Sequence, residues 1–97
     1  MNNMNNIITE EKIAKYFKIT GQAISMCVNA LDESRLDIAK DFLDMAERYY
    51  SDAKYFYEKK DLVLAFAALN YAHGWLDAGA RIRLFQVKDS RLFTVDD

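Results

Sequence analysis

The chain has 97 residues, of which 52% are hydrophobic and 13% aromatic, and its formal net charge at pH 7 is −2. This length suits one small domain with a single core. The apolar share excludes a disordered chain, which could not bury enough surface to offset its ordering entropy. Acidic and basic residues are interspersed without a long basic run, so composition gives no sign of nucleic-acid binding driven by counterion release.

The single cysteine and the N-terminal segment argue against a disulfide-bonded, zinc-binding, secreted or membrane-spanning protein. Cys27 is the only cysteine; it cannot form an internal disulfide, it lacks zinc-ligand spacing, and we expect it in the core. The N-terminal MNNMNN lacks a charged segment followed by an apolar core, and no apolar run approaches the roughly 20 residues that span a bilayer. We therefore expect a soluble, cytoplasmic protein with no membrane contact and no cofactor.

Turn-forming residues are too scarce for a β-domain. The chain has no proline, and its three glycines all fall inside helical patterns. The composition predicts an all-α fold: a small three-helix bundle built on a long antiparallel helical hairpin, with an extended C-terminal tail. We expect residues 1–8 to be a flexible lead-in, residues 9–87 the helical domain, and residues 88–97 the tail.

The first helix is predicted from about Thr9 to Ala30. Thr9 can act as N-cap, and the acids that follow it suit the helix dipole. The apolar positions recur at helical spacing: Ile13, Phe17, Ile24, Val28 and Leu31. Gly21 lies inside this helix, where glycine costs about 1 kcal/mol against alanine, so we expect it to mark a close helix–helix approach.

The second helix is predicted to begin at Ser34, which with Asp37 approximates a capping box. Its apolar positions have the spacing of helix bundles: Leu36, Ala39, Phe42 or Leu43, Ala46, Tyr49 or Tyr50, Ala53, and Phe56 or Tyr57. The aromatic cluster between Tyr49 and Tyr57 fits core and boundary packing better than base stacking. Because only Lys59, Lys60 and Asp61 separate this helix from the next, the two should form an antiparallel hairpin.

The third helix, predicted from Asp61 to Val87, is apolar over most of its circumference. One side carries Leu62, Ala65, Leu69, Ala72, Leu76 and Ala80, and a neighbouring side carries Leu64, Ala68, Tyr71, Trp75 and Ile82. Such a helix is either central to a bundle or pressed against a second subunit. Three helices would leave its second side only partly covered, which predicts a homodimer formed through this helix. The tail residues Leu92, Phe93 and Val95 are expected to pack on the bundle or on a partner.

The string YAHGWLDAG, at Tyr71–Gly79, is the most distinctive segment of the chain. With the spaced residues that precede it from Ala46, the following Leu84–Phe85 and the closing LFTV, it resembles the small archaeal family known as domain of unknown function 357. The resemblance covers roughly Ile13 to Val95. It implies an all-helical, largely hairpin-built archaeal domain with no established activity.

A polar seam interrupts the apolar third helix at four residues: Asn70, His73, Asp77 and Arg81. His73 and Asp77 are four residues apart, as are Asp77 and Arg81, so their side chains can touch along one face. One interpretation is an acid/base or anion-binding site. The other, which we favour, is a structural ladder in which Asp77 pairs with Arg81 and His73 donates to a backbone group or a tyrosine.

A basic set lies at the C-terminal end of the same helix: Arg81, Arg83, Lys88 and Arg91, with Phe85 and Phe93 interleaved. One interpretation is contact with RNA or an anionic ligand through phosphates and stacking. The other, which we favour, is ordinary basicity at a helix end, where it complements the dipole.

Motifs that carry chemistry are missing from the sequence. It holds one histidine, no converging set of three metal ligands, no glycine-rich phosphate loop and no nucleophile motif. We therefore predict no catalytic, metal or cofactor-binding residues. The favoured function is a non-enzymatic protein–protein interaction or structural module, and the alternative is an RNA- or anion-binding accessory protein.

Overall fold

The computed structural model describes residues 7–89 and 91–93. The helices are α1 (Glu10–Val28), α2 (Leu36–Glu58) and α3 (Leu62–Arg81), with a short 3-10 turn at Glu33–Arg35 before α2. The hairpin of α2 and α3 has the most extensive helix–helix contact, and α1 packs against both. The predicted all-α three-helix bundle is confirmed. None of the described helices is both long and apolar enough to cross a membrane.

The N-terminus of α1 is capped as the sequence predicts. The Thr9 hydroxyl accepts a hydrogen bond from the Lys12 amide at 3.1 Å, which satisfies one of the free amides of the first turn. The helix ends at Val28, two residues before the predicted end. A Cβ at Gly21 would lie 2.8 Å from the Tyr50 hydroxyl. The expected close approach at this glycine is therefore present, between α1 and α2.

The predicted capping box at Ser34 is wrong, because Asp32 occupies that role. The Asp32 carboxylate accepts from the Ser34 amide at 3.0 Å and from the Ser34 hydroxyl at 2.7 Å. The Ser34 hydroxyl, followed by Arg35, lowers the pKa of Asp32. The carboxylate accepts both bonds at once and caps the 3-10 turn at Glu33–Arg35, and α2 begins at Leu36, two residues after the predicted start.

Small residues line the contact between α2 and α3. Ala39, Ala46 and Ala53 of α2 are completely buried, as are Ala65 and Ala72 of α3. Alanines at these positions let the two backbones approach closely, and larger side chains fill the space beyond them. The hairpin therefore forms the central wall of the bundle, against which α1 is laid.

Asp61, in the turn between α2 and α3, makes hydrogen bonds with both helices. Lys60 has a left-handed backbone (φ 63°), and the Asp61 amide donates to the Phe56 carbonyl at 2.9 Å, which closes α2. The Asp61 carboxylate also accepts from the Leu64 amide at 3.0 Å, which caps the start of α3. The end of one helix and the beginning of the next therefore share Asp61.

The predicted end of the third helix at Val87 is wrong, since α3 stops at Arg81. Arg83 has a left-handed backbone (φ 64°), and the Leu84 amide donates to the Gly79 carbonyl at 2.8 Å. This terminating turn sends Leu84 and Phe85 back under the helix, where both are 1% exposed. These two apolar residues continue the helical pattern in the sequence, but the chain buries them by reversing its direction instead of by extending α3.

Replacing Lys60 or Arg83 by glycine is expected to raise the free energy of unfolding by about 0.5–1 kcal/mol each. A side chain in the left-handed region costs about 1–2 kcal/mol, which glycine avoids. Glycine also has more backbone entropy in the unfolded chain, which cancels part of this gain in stability. Urea unfolding followed by circular dichroism measures the change. Lys59→Gly is the control, because Lys59 has φ −83° and gains nothing from glycine. Equal loss of stability in Lys59→Gly and Lys60→Gly would contradict the prediction.

The segment after α3 packs back on the bundle. An isolated antiparallel bridge joins Leu31 and Phe85, and the Gln86 amide donates to the Ala30 carbonyl at 2.7 Å. Phe93 is 3% exposed and belongs to the main core cluster, with Leu92 packed against that cluster. The expected packing of these two residues is confirmed. They lie in a turn rather than an extended stretch, and Val95 lies outside the described residues.

Candidate functional site

His73 holds three parts of the chain together. Its Nε2 donates a hydrogen bond to the Leu92 carbonyl of the tail, and its Nδ1 lies 3.3 Å from the Thr20 hydroxyl of α1. A carbonyl oxygen only accepts, so Nε2 carries a proton, and in the neutral ring Nδ1 accepts from Thr20. The Phe93 ring stacks against the imidazole at 6.3 Å between centroids. The expected donation from His73 to a backbone group is present, and both ring nitrogens are engaged.

Thr20 is a residue of this site that the sequence reasoning missed. It is completely buried. It lies between Phe17 and Ile24 in the apolar stripe of α1, at the spacing that faces the core. A hydroxyl at a core position requires a hydrogen-bond partner. That position was the available signal, although it does not identify His73 as the partner.

Three of the four residues of the polar seam share a pocket. Asn70, His73 and Asp77 line a cavity of about 410 Å³ between α1, α3 and the tail, together with Tyr16 and others. The His73 Nε2 and Asp77 Oδ1 atoms are 3.9 Å apart, a long and partly exposed contact that is an ion pair only when the imidazole is protonated. Arg81 lies outside this pocket. Thr20 and Leu92 already engage both nitrogens of the imidazole, so this pocket presents no free ring nitrogen to a ligand.

The basic set is divided by the structure. Arg91 lines the His73 pocket and makes two hydrogen bonds with Asp89, at 3.1 Å and 2.9 Å. The Arg91 hydrogen bonds lower the pKa of Asp89, as expected for a charge-assisted pair. Arg81, Arg83 and Lys88 lie outside the pocket with exposed side chains.

Cys27 is buried in the main core cluster, as predicted. Burial, followed by the negative charge of Asp77, raises the pKa of the thiol to about 12. A thiol that stays protonated is a poor nucleophile and a poor metal ligand. Among the described residues no group of three or more potential metal ligands comes together.

An exposed apolar surface lies on α3, opposite the core. We call it the open face, and it consists of exposed apolar residues: Val63, Leu64, Ala67, Tyr71, Gly74, Ala78 and the C-cap residue Ile82. Val63 is 67% exposed and Tyr71 62%. The exposed polar residues of α3 are Asn70 and Arg81, which follow one margin of this face. The second apolar side of the third helix is thus only partly covered, as the sequence predicts.

A shallow apolar groove of about 530 Å³ occupies the middle of the open face, with Gly74 and Ala78 on its floor. Two rigid aromatic side chains border it. Tyr71 stacks on Tyr49 of α2 at 5.1 Å, and Trp75 meets another α2 ring edge-on at 5.0 Å. A Cβ at Gly74 would meet nothing within 4 Å. Packing within this chain therefore gives no reason for glycine at this position.

Comparison with known families gives one match. A family model described as "Protein of unknown function (DUF357)" matches residues 15–85. No curated protein and no solved structure matches the chain. The match includes all of α2 and α3 and most of α1, so the open face and His73 lie within it, whereas Lys88 and Arg91 lie beyond it.

Proposed function

The chain belongs to the family described as protein of unknown function DUF357, and from the surface of α3 we propose that it is a non-enzymatic protein–protein interaction module that forms a homodimer through the open face. The observation that carries the proposal is the uncharged, exposed apolar surface that runs from Val63 to Ala78 with a groove at its centre. A helix with this pattern is typically covered by another helix.

The exposure of the open face supports a specific contact. Four of its large apolar residues, Val63, Leu64, Tyr71 and Ile82, are 45–67% exposed, and contiguous exposed apolar surface of this kind marks protein–protein contacts. The aromatic rings on α2 that support Tyr71 and Trp75 extend this surface beyond α3. A dimer of moderate affinity is therefore the expected product.

Two other functions have weaker support. An acid/base or ligand site at His73 lacks a free ring nitrogen, because Thr20 and Leu92 engage both. An RNA- or anion-binding role for Arg81, Arg83, Lys88 and Arg91 is the alternative proposal. Its support is reduced because Asp89 already neutralises Arg91.

The dimer is tested by a charge placed on the open face. We expect the wild-type chain to sediment as a dimer at about 100 µM, and Ala67→Glu to raise the dissociation constant at least about tenfold, since symmetry brings two buried carboxylates to the interface. Ala14→Glu is the matched control, because Ala14 is an exposed alanine of α1 away from this face. Its dimer should be unchanged.

A wild-type chain that stays monomeric would refute the proposal, and so would an equal effect of the two alanine variants. Nuclease treatment before sedimentation separates the RNA alternative. If association requires nucleic acid and is lost in an Arg83→Ala/Lys88→Ala double variant, the basic set is the functional surface instead.

A further inference from the structure

The open face carries both a projection and a depression of matching kind. Tyr71 stands out from α3 with 62% of its surface exposed, and its stack on Tyr49 holds the ring in place. The groove over Gly74 and Ala78 begins one helical turn further along the same face. A surface that offers a rigid ring and a receiving groove side by side is complementary to itself. That is what a two-fold symmetric contact requires.

We propose that the partner on this face is a second copy in antiparallel orientation, with Tyr71 of each chain seated in the groove formed by Gly74 and Ala78 of the other. The inference rests on the proposed function and adds the orientation and register of the pair. A two-fold axis midway between Tyr71 and Gly74 places Tyr71 of one copy opposite Gly74 of the other, and its ring leans toward Ala78 because helical side chains point toward their own N-terminus. The same axis places Ala67 opposite Ala78.

The parallel arrangement fits the same surface poorly. In a parallel two-fold pair each residue faces its own copy, so the two Tyr71 rings would oppose each other while the two grooves faced each other unfilled. Arg81 and Arg83 would also be brought near their own copies, and like charges in contact are unfavourable. Antiparallel packing separates these basic ends and fills both grooves.

Gly74 supplies an independent argument for an occupant. Glycine inside a helix is less stable than alanine by about 0.5–1 kcal/mol, and no atom of the chain's own fold lies within 4 Å of the missing Cβ. Gly79, five residues later, shows the usual reason for such a residue, because the Phe85 ring fills the space above it. In the antiparallel pair the Tyr71 ring of the second copy fills the corresponding space above Gly74.

The absence of charge on this face favours a second copy over a different protein partner. The groove is lined by Asn70, Tyr71, Gly74, Trp75 and Ala78, none of which is charged. An ionic group on a self-paired face would meet its own sign near the axis, whereas a contact with a different protein gains orientation from complementary charges. The open face has the composition expected of the first case.

Disulfide trapping of single-cysteine variants tests the register, in a Cys27→Ala background that removes the buried native thiol. Ala67→Cys alone should not link to its own copy, because the antiparallel axis separates the two positions by about 16 Å at 1.5 Å rise per residue. An exchanged mixture of Ala67→Cys and Ala78→Cys should form the mixed disulfide, since opposed residues fall within the roughly 7 Å that a disulfide spans.

A rapid Ala67→Cys homodisulfide would overturn the antiparallel register while leaving the dimer itself intact. A sedimentation dimer in which neither the single variant nor the mixture links would place the contact elsewhere and overturn the inference. A chain that is monomeric in sedimentation would instead refute the proposed function. The two failures are therefore distinguishable.

Filling the groove gives a second test that does not depend on thiols. Gly74→Leu is expected to raise the dimer dissociation constant at least about tenfold, because the leucine occupies the place of the Tyr71 ring. The isolated chain should keep its helical circular dichroism and unfold at the same or a higher urea concentration, since the new Cβ meets no other side chain and the groove above it is open. An unchanged dissociation constant in this variant would overturn the proposal.

Discussion

Replacing Phe85 by alanine is expected to lower the free energy of unfolding by about 3–5 kcal/mol, the range for a fully buried aromatic ring. Among the described residues, Phe85 is the largest of the side chains that are less than 2% exposed. It closes the main core cluster from below, after the chain has reversed at the end of α3. Its loss would leave a cavity beneath Gly79 and weaken the antiparallel bridge to Leu31.

Urea unfolding followed by circular dichroism measures this loss, at a protein concentration where the oligomeric state is the same for all variants. Tyr55→Ala is the matched control, because Tyr55 is an aromatic residue that is 55% exposed. Its removal should change stability by less than about 1 kcal/mol. A loss in Phe85→Ala no larger than that in the control would contradict the burial of this ring.

Gly79→Ala is expected to lower the free energy of unfolding by about 1–3 kcal/mol, the range for overpacking a core. The added Cβ would lie 2.5 Å or less from the Phe85 ring, which is buried and has no space to move away. Gly74→Ala is the control and should have the opposite sign. Its Cβ meets no atom, so helix propensity alone should stabilise the isolated chain by about 0.5–1 kcal/mol.

The cause of the Gly79 effect can be separated from helix propensity by changing the ring. In a Phe85→Leu background, Gly79→Ala should cost less than in the wild-type chain, because a smaller side chain leaves room for the methyl group. The coupling between the two substitutions is the quantity to measure. Strict additivity would show that the steric contact does not limit this position.

Local chemistry explains which parts of the fold could be predicted from the sequence. Thr9 and Asp61 cap helices through residues three positions away, and the α2–α3 contact follows from alanines at helical spacing. The end of α3 could not be predicted in this way. Arg83 adopts a left-handed conformation without being glycine, and Leu84–Phe85 continue the apolar period past the point where the helix stops.

The candidate site shows the same limit. The spacing of His73 and Asp77 predicts their proximity, and the structure places them 3.9 Å apart. The partners that decide the role of His73 are distant in sequence: Thr20 is 53 residues away and Leu92 is 19. No local sequence pattern predicts contacts between residues this far apart. The hydroxyl of Thr20 within an apolar stripe indicates only that a hydrogen-bond partner is needed.

The reversal at Lys59 and Lys60 makes the α2–α3 hairpin a folding unit of short sequence separation. Because Asp61 already belongs to both helices, almost no flexible chain remains between them, and the entropy lost on closing the loop is small. Docking of α1 and Phe93 must instead bring together segments separated by longer stretches of chain. Contacts within the hairpin therefore join residues that are close in sequence, and forming them costs less entropy than docking the other segments. We expect the hairpin to form first and the rest of the chain to pack onto it.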